Sequence, residues 1–226
     1  MKLILTPLLC LVAYFHASAS TWSLDKQDDM SAWKTFGTVA GDVLGPSAGD
    51  FAISGIASNG PISTGAGTEI AVKIAGFAVT GRAPADAENG NDLRLNLVLS
   101  PKSDYAFEND DRVLDVLLLY NSANQGIYAS LQFKDAKKPN SAGPEIVGGY
   151  IGGNLSAVDV VINWSSGALN VEFQKDGTTF NRLSTKIPGS LGEMLKEKLY
   201  FLVYQQNIHL SQGTVSIKQI TSASKP

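Results

Sequence analysis

Residues 158–174 constrain the fold more than any other stretch. Val158, Val160, Ile162 and Trp164 alternate with Asp159, Val161 and Asn163, and Leu169, Val171 and Phe173 alternate with Asn170, Glu172 and Gln174. Side chains that change character at every second residue belong to extended chain with one buried and one wet face. Ser165-Ser166-Gly167 joins the two runs and Asp176-Gly177 follows the second, in positions where tight turns need residues that tolerate positive φ. Continued through the segment TTFNRLST to KLYFLVYQQ, residues 157–206 predict a meander of half-buried antiparallel strands.

The rest of the chain repeats the theme. Residues 92–100 set Leu93, Leu95, Leu97 and Leu99 against Arg94, Asn96, Val98 and Ser100, and residues 126–134 set Ile127, Ala129, Leu131 and Phe133 against Tyr128, Ser130, Gln132 and Lys134. Residues 113–120 are apolar throughout except for Asp115, which predicts a central strand covered on both faces. Residues 68–79 alternate until Gly76 interrupts them, the mark of a bulge or bend. Short strands are expected at 51–54, 198–206 and 214–220. Residues 21–39, with Trp22, Leu24, Trp33 and Phe36, suit an N-terminal strand or arm pinned by aromatic anchors.

Between these runs lie turn-rich links at 42–50, 58–67, 81–91 and 103–112. Residues 136–154, carrying Pro139, Pro144 and several glycines, read as one long loop of the kind that often carries function. Residues 191–196 are the one plausible helical turn. Parallel α/β folds need amphipathic crossover helices, and the sequence has none. The expectation is an all-β fold, a two-sheet antiparallel β-sandwich, with residues 20–221 forming a single domain and 222–226 a polar C-terminal tail.

Met1-Lys2, an apolar run at 3–15 and Ala17-Ser18-Ala19 have the form of a secretory signal peptide over residues 1–19, so a secreted protein, extracellular or periplasmic, is expected. The run is too short to span a bilayer comfortably, and no membrane insertion is expected. Leu9 before Cys10 disfavours lipidation. Loss of the signal removes Cys10 and His16, leaving His209 alone, so neither a disulfide nor a Cys/His zinc site is expected. About two hundred residues remain, enough to bury a core without covalent help. The formal charge is -3 with 17% charged residues, and removing Lys2 makes it one unit more negative. A nucleic-acid partner would want a basic stripe, and the densest basic spot is only Lys134, Lys137 and Lys138.

The order of strands, and above all VDVVINWSSGALNVEFQKDG followed by a short helical link and LYFLVYQQ, resembles the concanavalin A-like lectin/glucanase superfamily. It is similar also to its laminin G-like branches. The resemblance implies a jelly roll of two stacked sheets whose concave face or rim binds carbohydrate, as in lectins. It does not imply one chemistry, because the superfamily holds hydrolases, lyases and adhesion modules as well.

Glycosidases need two carboxyl groups across the scissile bond. The Glu-x-Asp-x-Glu strand motif of the laminarinase-like hydrolases is missing: Glu108-Asn109-Asp110-Asp111 sits in a loop, and Glu69, Asp115, Asp159 and Glu172 stand alone on their strands. The same loop is no better as a calcium site, which needs several oxygen ligands. Lyases of the alginate lyase type take a neutralising Arg or Asn and a Tyr or His as base and acid. Arg94 with Asn96, then Gln132, then Tyr200 with Tyr204 resemble that order of strands. Against it, Phe133-Lys134 stands where that family has Ile-His, and the tyrosines are four apart instead of six. His209 comes after the last of these strands.

Arg94, Asn96, Tyr128, Gln132, Tyr200 and Tyr204 therefore form the expected carbohydrate-binding platform, aromatic rings for sugar faces and amides and a guanidinium for hydroxyls or acids. No catalytic residue, metal ligand or cofactor is assigned. Trp164 is expected in the core, and Asn154-Leu-Ser and Asn163-Trp-Ser match the glycosylation acceptor pattern. The sequence-level reading is a secreted lectin-like protein whose partner is a polysaccharide or other glycan. The alternatives are a polysaccharide lyase or glycoside hydrolase with a divergent site, and an adhesion or structural domain that binds protein.

Overall fold

A computed structural model describes residues 19–46, 52–62, 67–80, 92–102, 112–135, 145–165, 167–208 and 212–224. These residues form two antiparallel sheets with one core between them. The meander predicted from the alternating runs is β11 (Val158–Ser165), β12 (Ala168–Lys175) and β13 (Thr178–Lys186). Val160 pairs with Phe173, Ile162 with Val171 and Trp164 with Leu169, so the apolar set faces inward as one block. Asp176 (φ 52) and Gly177 (φ 75) carry the positive φ values of the two-residue hairpin that joins β12 to β13.

Sheet A continues from this meander through β6 (Thr68–Thr80) to β15 (Gln212–Ser224), with β4 (Val43–Leu44) and β3 (Val39–Ala40) beyond. β1 (Ala19–Ser23) also pairs with β15, Ala19 opposite Ala223. The pairing of β6 with β15 slips next to Gly76, where the interrupted alternation predicted an irregularity. Residues 222–224, read from the sequence as part of a tail, belong to β15: Ser222 is buried and its hydroxyl donates to the carbonyl of Ile62. Polarity misled because the backbone of Ser222 and Ala223 is paired on both sides and that of Ser224 on one.

Sheet B runs β10 (Glu145–Gly152), β9 (Gly126–Lys134), β8 (Val113–Asn121), β7 (Leu93–Ser100), β14 (Tyr200–Asn207), β5 (Ile53–Ser58), β2 (Trp33–Phe36). β14, made late, lies between two strands made early. The expectation of a loop over 136–154 is corrected at its C-terminal part, because residues 145–152 are the edge strand β10. Two short helices, α1 (Gln27–Met30) and α2 (Gly189–Met194), complete the described elements.

Leu93, Leu95, Leu97 and Leu99 of sheet B meet Ile70, Val72, Val160, Ile162 and Phe173 of sheet A in the main core, each at most 1% exposed. Burying one such side chain contributes roughly 1.5–3 kcal/mol. Trp22 and Trp33 meet edge to face with ring centroids 5.5 Å apart, so the aromatic anchors of the N-terminal segment hold each other against this core. Trp164 is 2% exposed and also belongs to it.

Candidate functional site

Because β strands alternate, every second residue of sheet B points away from the core, and the pairing registers align those residues in rows across the strands. One row is Leu202, Val98, Asp115, Gln132 and Glu145. The next is Tyr204, Asn96, Leu117 and Ser130. A third is Gln206, Arg94, Leu119, Tyr128 and Tyr150. Tyr200 lies opposite Ser100 at the far margin. All six residues picked from the sequence thus share the outer face of sheet B.

They do not form an open platform. Asn96 is 3% and Tyr204 5% exposed, and Ala57, Val98, Val113, Leu202 and Tyr204 form a second apolar cluster on this side of the sheet. Arg94, Tyr128, Gln132 and Tyr200 are half-buried. Asn96 and Gln132 flank one position, Tyr204 lies a strand beyond Asn96, and Tyr128 and Tyr200 lie on opposite margins.

The residue at that centre is Asp115, which sequence reasoning noted and left unassigned. Asn96 Nδ2 donates to Asp115 Oδ2 at 2.5 Å. Asp115 Oδ1 and Asn96 Oδ1 are sealed from solvent with no hydrogen-bond partner, and so is Arg94 Nε. Arg94 spends one other nitrogen on Gln206 Oε1, at 3.3 Å. Burial pushes the Asp115 carboxyl up to about 7, against the lowering pull of the Asn96 hydrogen bond and the Arg94 charge. A buried polar atom without a partner costs about 1–3 kcal/mol, so three of them in one place need a reason other than stability. The signal available in the sequence was the isolation of Asp115 itself, one acid in an otherwise apolar strand.

At the β10 margin, Tyr128 Oη donates to Glu145 Oε2 at 3.2 Å. Burial and then the Glu145 carboxylate raise the Tyr128 hydroxyl above its ordinary range. Gly148 lies under this contact: a Cβ there would meet Glu145 Oε2 at 2.5 Å and Tyr128 Oη at 2.6 Å. Tyr150 is 59% exposed, its ring leaning over Gly126, where an added Cβ would meet Tyr150 Oη at 2.7 Å. Gly148, one of the glycines that make β10 read as loop, is what lets Tyr128 and Glu145 meet across it.

Sheet A presents a different outer face. A groove of about 540 Å³ is lined there by Glu69, Asn163, Glu172 and Gln174 among others. Its polar atoms serve one another: Arg182 Nη2 and Thr179 Oγ1 donate to Glu172 at 2.7 and 3.0 Å, Ser184 Oγ donates to Asn170, and Asn170 donates to Asn163. Asn163, one of the two glycosylation acceptors, is thus engaged within the sheet, whereas Asn154 is exposed at a turn with φ 57.

Among the described residues no group of three His, Cys, Asp or Glu side chains could hold a metal ion, and no helix is long and apolar enough to cross a membrane. His209 and the acidic loop Glu108-Asn109-Asp110-Asp111 lie outside the described residues.

No protein-family model and no curated protein sequence matches the chain. Solved structures do. The carbohydrate recognition domain of Emp47p is similar at TM-score 0.66 and 11% identity, over 93% of this chain and 97% of that one. The lectin from Bauhinia forficata in complex with GalNAc is similar at 0.61 and 10%, over 92% and 100%. The chain has the concanavalin A-like β-sandwich fold. The concanavalin A-like sandwich also serves an enzyme in this comparison, since the apo Crh5 transglycosylase is similar at 0.58 and 12% identity, over 93% and 85%. The fold therefore narrows the architecture and leaves the activity to the site.

Proposed function

We propose that this protein binds carbohydrate as an exported, lectin-like module, through the outer face of sheet B. The observation that carries the reading is the meeting of Asn96, Asp115 and Arg94 on that face, each with a buried polar atom lacking a partner. Sugars offer hydroxyls in both hydrogen-bonding senses and suit a face that sets a carboxyl, an amide and a guanidinium side by side. Two of the similar structures, a carbohydrate recognition domain and a lectin in complex with GalNAc, support the same class of ligand. The signal-like segment at 1–19 supports export.

Retention of the purified chain on polysaccharide columns or a glycan array tests the reading. Binding to at least one glycan, weakened by Asn96→Leu in a variant that keeps its thermal midpoint within a few degrees, is the expected result. Absence of retention on any glycan overturns it.

One observation favours a second reading, a lyase or glycosidase with a divergent site: the Asp115 carboxyl sits at about 7, where a proton can be given and taken at neutral pH. Release of new reducing ends or of unsaturated uronate absorbance from a polysaccharide that the protein retains, abolished by Asp115→Asn, would establish catalysis. Retention without either product leaves binding alone.

A further inference from the structure

Of the rows that cross the outer face of sheet B, one is open from end to end. Gln206, Arg94, Leu119 and Tyr128 are each half-buried and Tyr150 is exposed, one residue on each of β14, β7, β8, β9 and β10. The neighbouring row is closed over Tyr204, Asn96, Leu117 and Ser130, all at most 6% exposed, and the row beyond it is closed over Leu202 and Val98. Neighbouring strands lie about 4.8 Å apart, so the open row runs for roughly 19 Å across four strand spacings. That length suits several linked sugars and exceeds one.

The row has a chemical direction. At the β10 end, Tyr128 and Tyr150 stand directly opposite each other; the Tyr128 hydroxyl reaches toward Glu145 and the Tyr150 ring leans over Gly126, so the two rings splay along the strands and each offers its own surface to an apolar sugar face. Arg94, near the other end, is the only charged residue of the row. Among the described residues it forms no ion pair, it spends Nη1 on a neutral amide, and Nη2 donates to none of them. Asp115 and Glu145 belong to a different row, and Glu145 accepts from Tyr128 at the margin. A guanidinium left with unused donors recognises planar acid groups better than hydroxyls.

From this arrangement we propose that the ligand is an internal stretch of a linear acidic polysaccharide, lying across the strands along Gln206, Arg94, Leu119, Tyr128 and Tyr150, with an acid group at Arg94 and sugar rings on Tyr128 and Tyr150. The inference rests on carbohydrate binding at this face and adds the direction of the chain, its acidity and two residues absent from the sequence-level platform, Gln206 and Tyr150.

The test uses the full chain and four probes: alginate, a carrageenan, neutral laminarin, and an alginate disaccharide. The expected result is binding to at least one acidic polymer and not to laminarin, with the disaccharide at least about tenfold weaker than its polymer. Alginate against carrageenan tells a carboxylate from a sulfate. Tyr150→Ala, exposed enough to leave folding intact, should weaken polymer binding about tenfold. Arg94→Gln should remove the acid preference and most of the salt dependence. Asn170→Ala, on the other sheet, should change nothing. Binding to laminarin alone, or binding indifferent to Tyr150→Ala, overturns this inference and leaves a carbohydrate-binding face standing. Binding to none of the polymers or the disaccharide overturns it too, and a glycan array that is also empty removes carbohydrate binding with it.

Discussion

On the outer face of sheet A, Glu172 collects Arg182, Thr179 and Gln174, and Asn170 links Ser184 to Asn163. On the outer face of sheet B, Asp115 has a single donor, Asn96, and both keep an oxygen with no partner, beside an arginine nitrogen in the same condition. The first face is wet, so its polar groups have water to fall back on and pair all the same. The second withholds water from some of its polar groups and leaves them unpaired. Such a face is held together by the rest of the fold, through the apolar cluster of Val98, Val113, Leu202 and Tyr204 around it.

Matched substitutions break the comparison most directly. Val98→Asp places a charge between Leu202 and Asp115 at a position 1% exposed, and should cost about 3–5 kcal/mol in urea unfolding. Ala71→Asp, its outward-facing counterpart between Val161 and Thr221 on sheet A, should cost less than about 1 kcal/mol. Equal losses would mean that the two faces are covered alike.

The next effect follows pH. Asp115 titrates at about 7 in the folded chain against 3.8 for an ordinary Asp. The folded state therefore holds this proton more tightly, a contribution fully present below the ordinary value and lost as pH rises through about 7. Asp115→Asn carries no such proton, so its stability relative to the native chain should rise by about 4 kcal/mol between acid and mildly alkaline solution. A difference that stays constant with pH would return Asp115 to ordinary surface behaviour. The smallest effect is Arg182→Ala on sheet A, where an exposed ion pair contributes about 0.5 kcal/mol and fades in molar salt. A larger loss there would show that the polar lattice of sheet A is structural after all.

The sandwich was legible because its strands obey a period of two, and a side chain's face follows from its parity alone. Parity correctly put Arg94, Asn96, Tyr128, Gln132, Tyr200 and Tyr204 on one surface. It could not say which of them that surface would bury, since burial depends on what lies above the sheet and not on the strand's own pattern. Hence Asn96 and Tyr204 were expected to meet solvent and are enclosed. β10 escaped for another reason: Gly148, Gly149 and Gly152 erase the alternation, and Gly148 does so to make room for side chains of its neighbours. With β10 read as loop, the position of Tyr150 opposite Tyr128 is not visible in the sequence.

The position of β14 between β7 and β5 has a consequence for how the molecule comes into being. Residues 200–207 are among the last to be synthesised, yet they separate strands built from the first half of the chain, and Arg94 waits for a partner 112 positions away. Closing loops of that size is slow, on the order of milliseconds to seconds for sheets dominated by distant pairings. A nascent chain stopped before residue 200 has most of its hydrophobic strands and all but one residue of each outer row, but not the strand that joins β7 to β5. The outer face of sheet B is thus completed late, and a chain truncated there leaves the edges of β5 and β7 unpaired and exposed to aggregation.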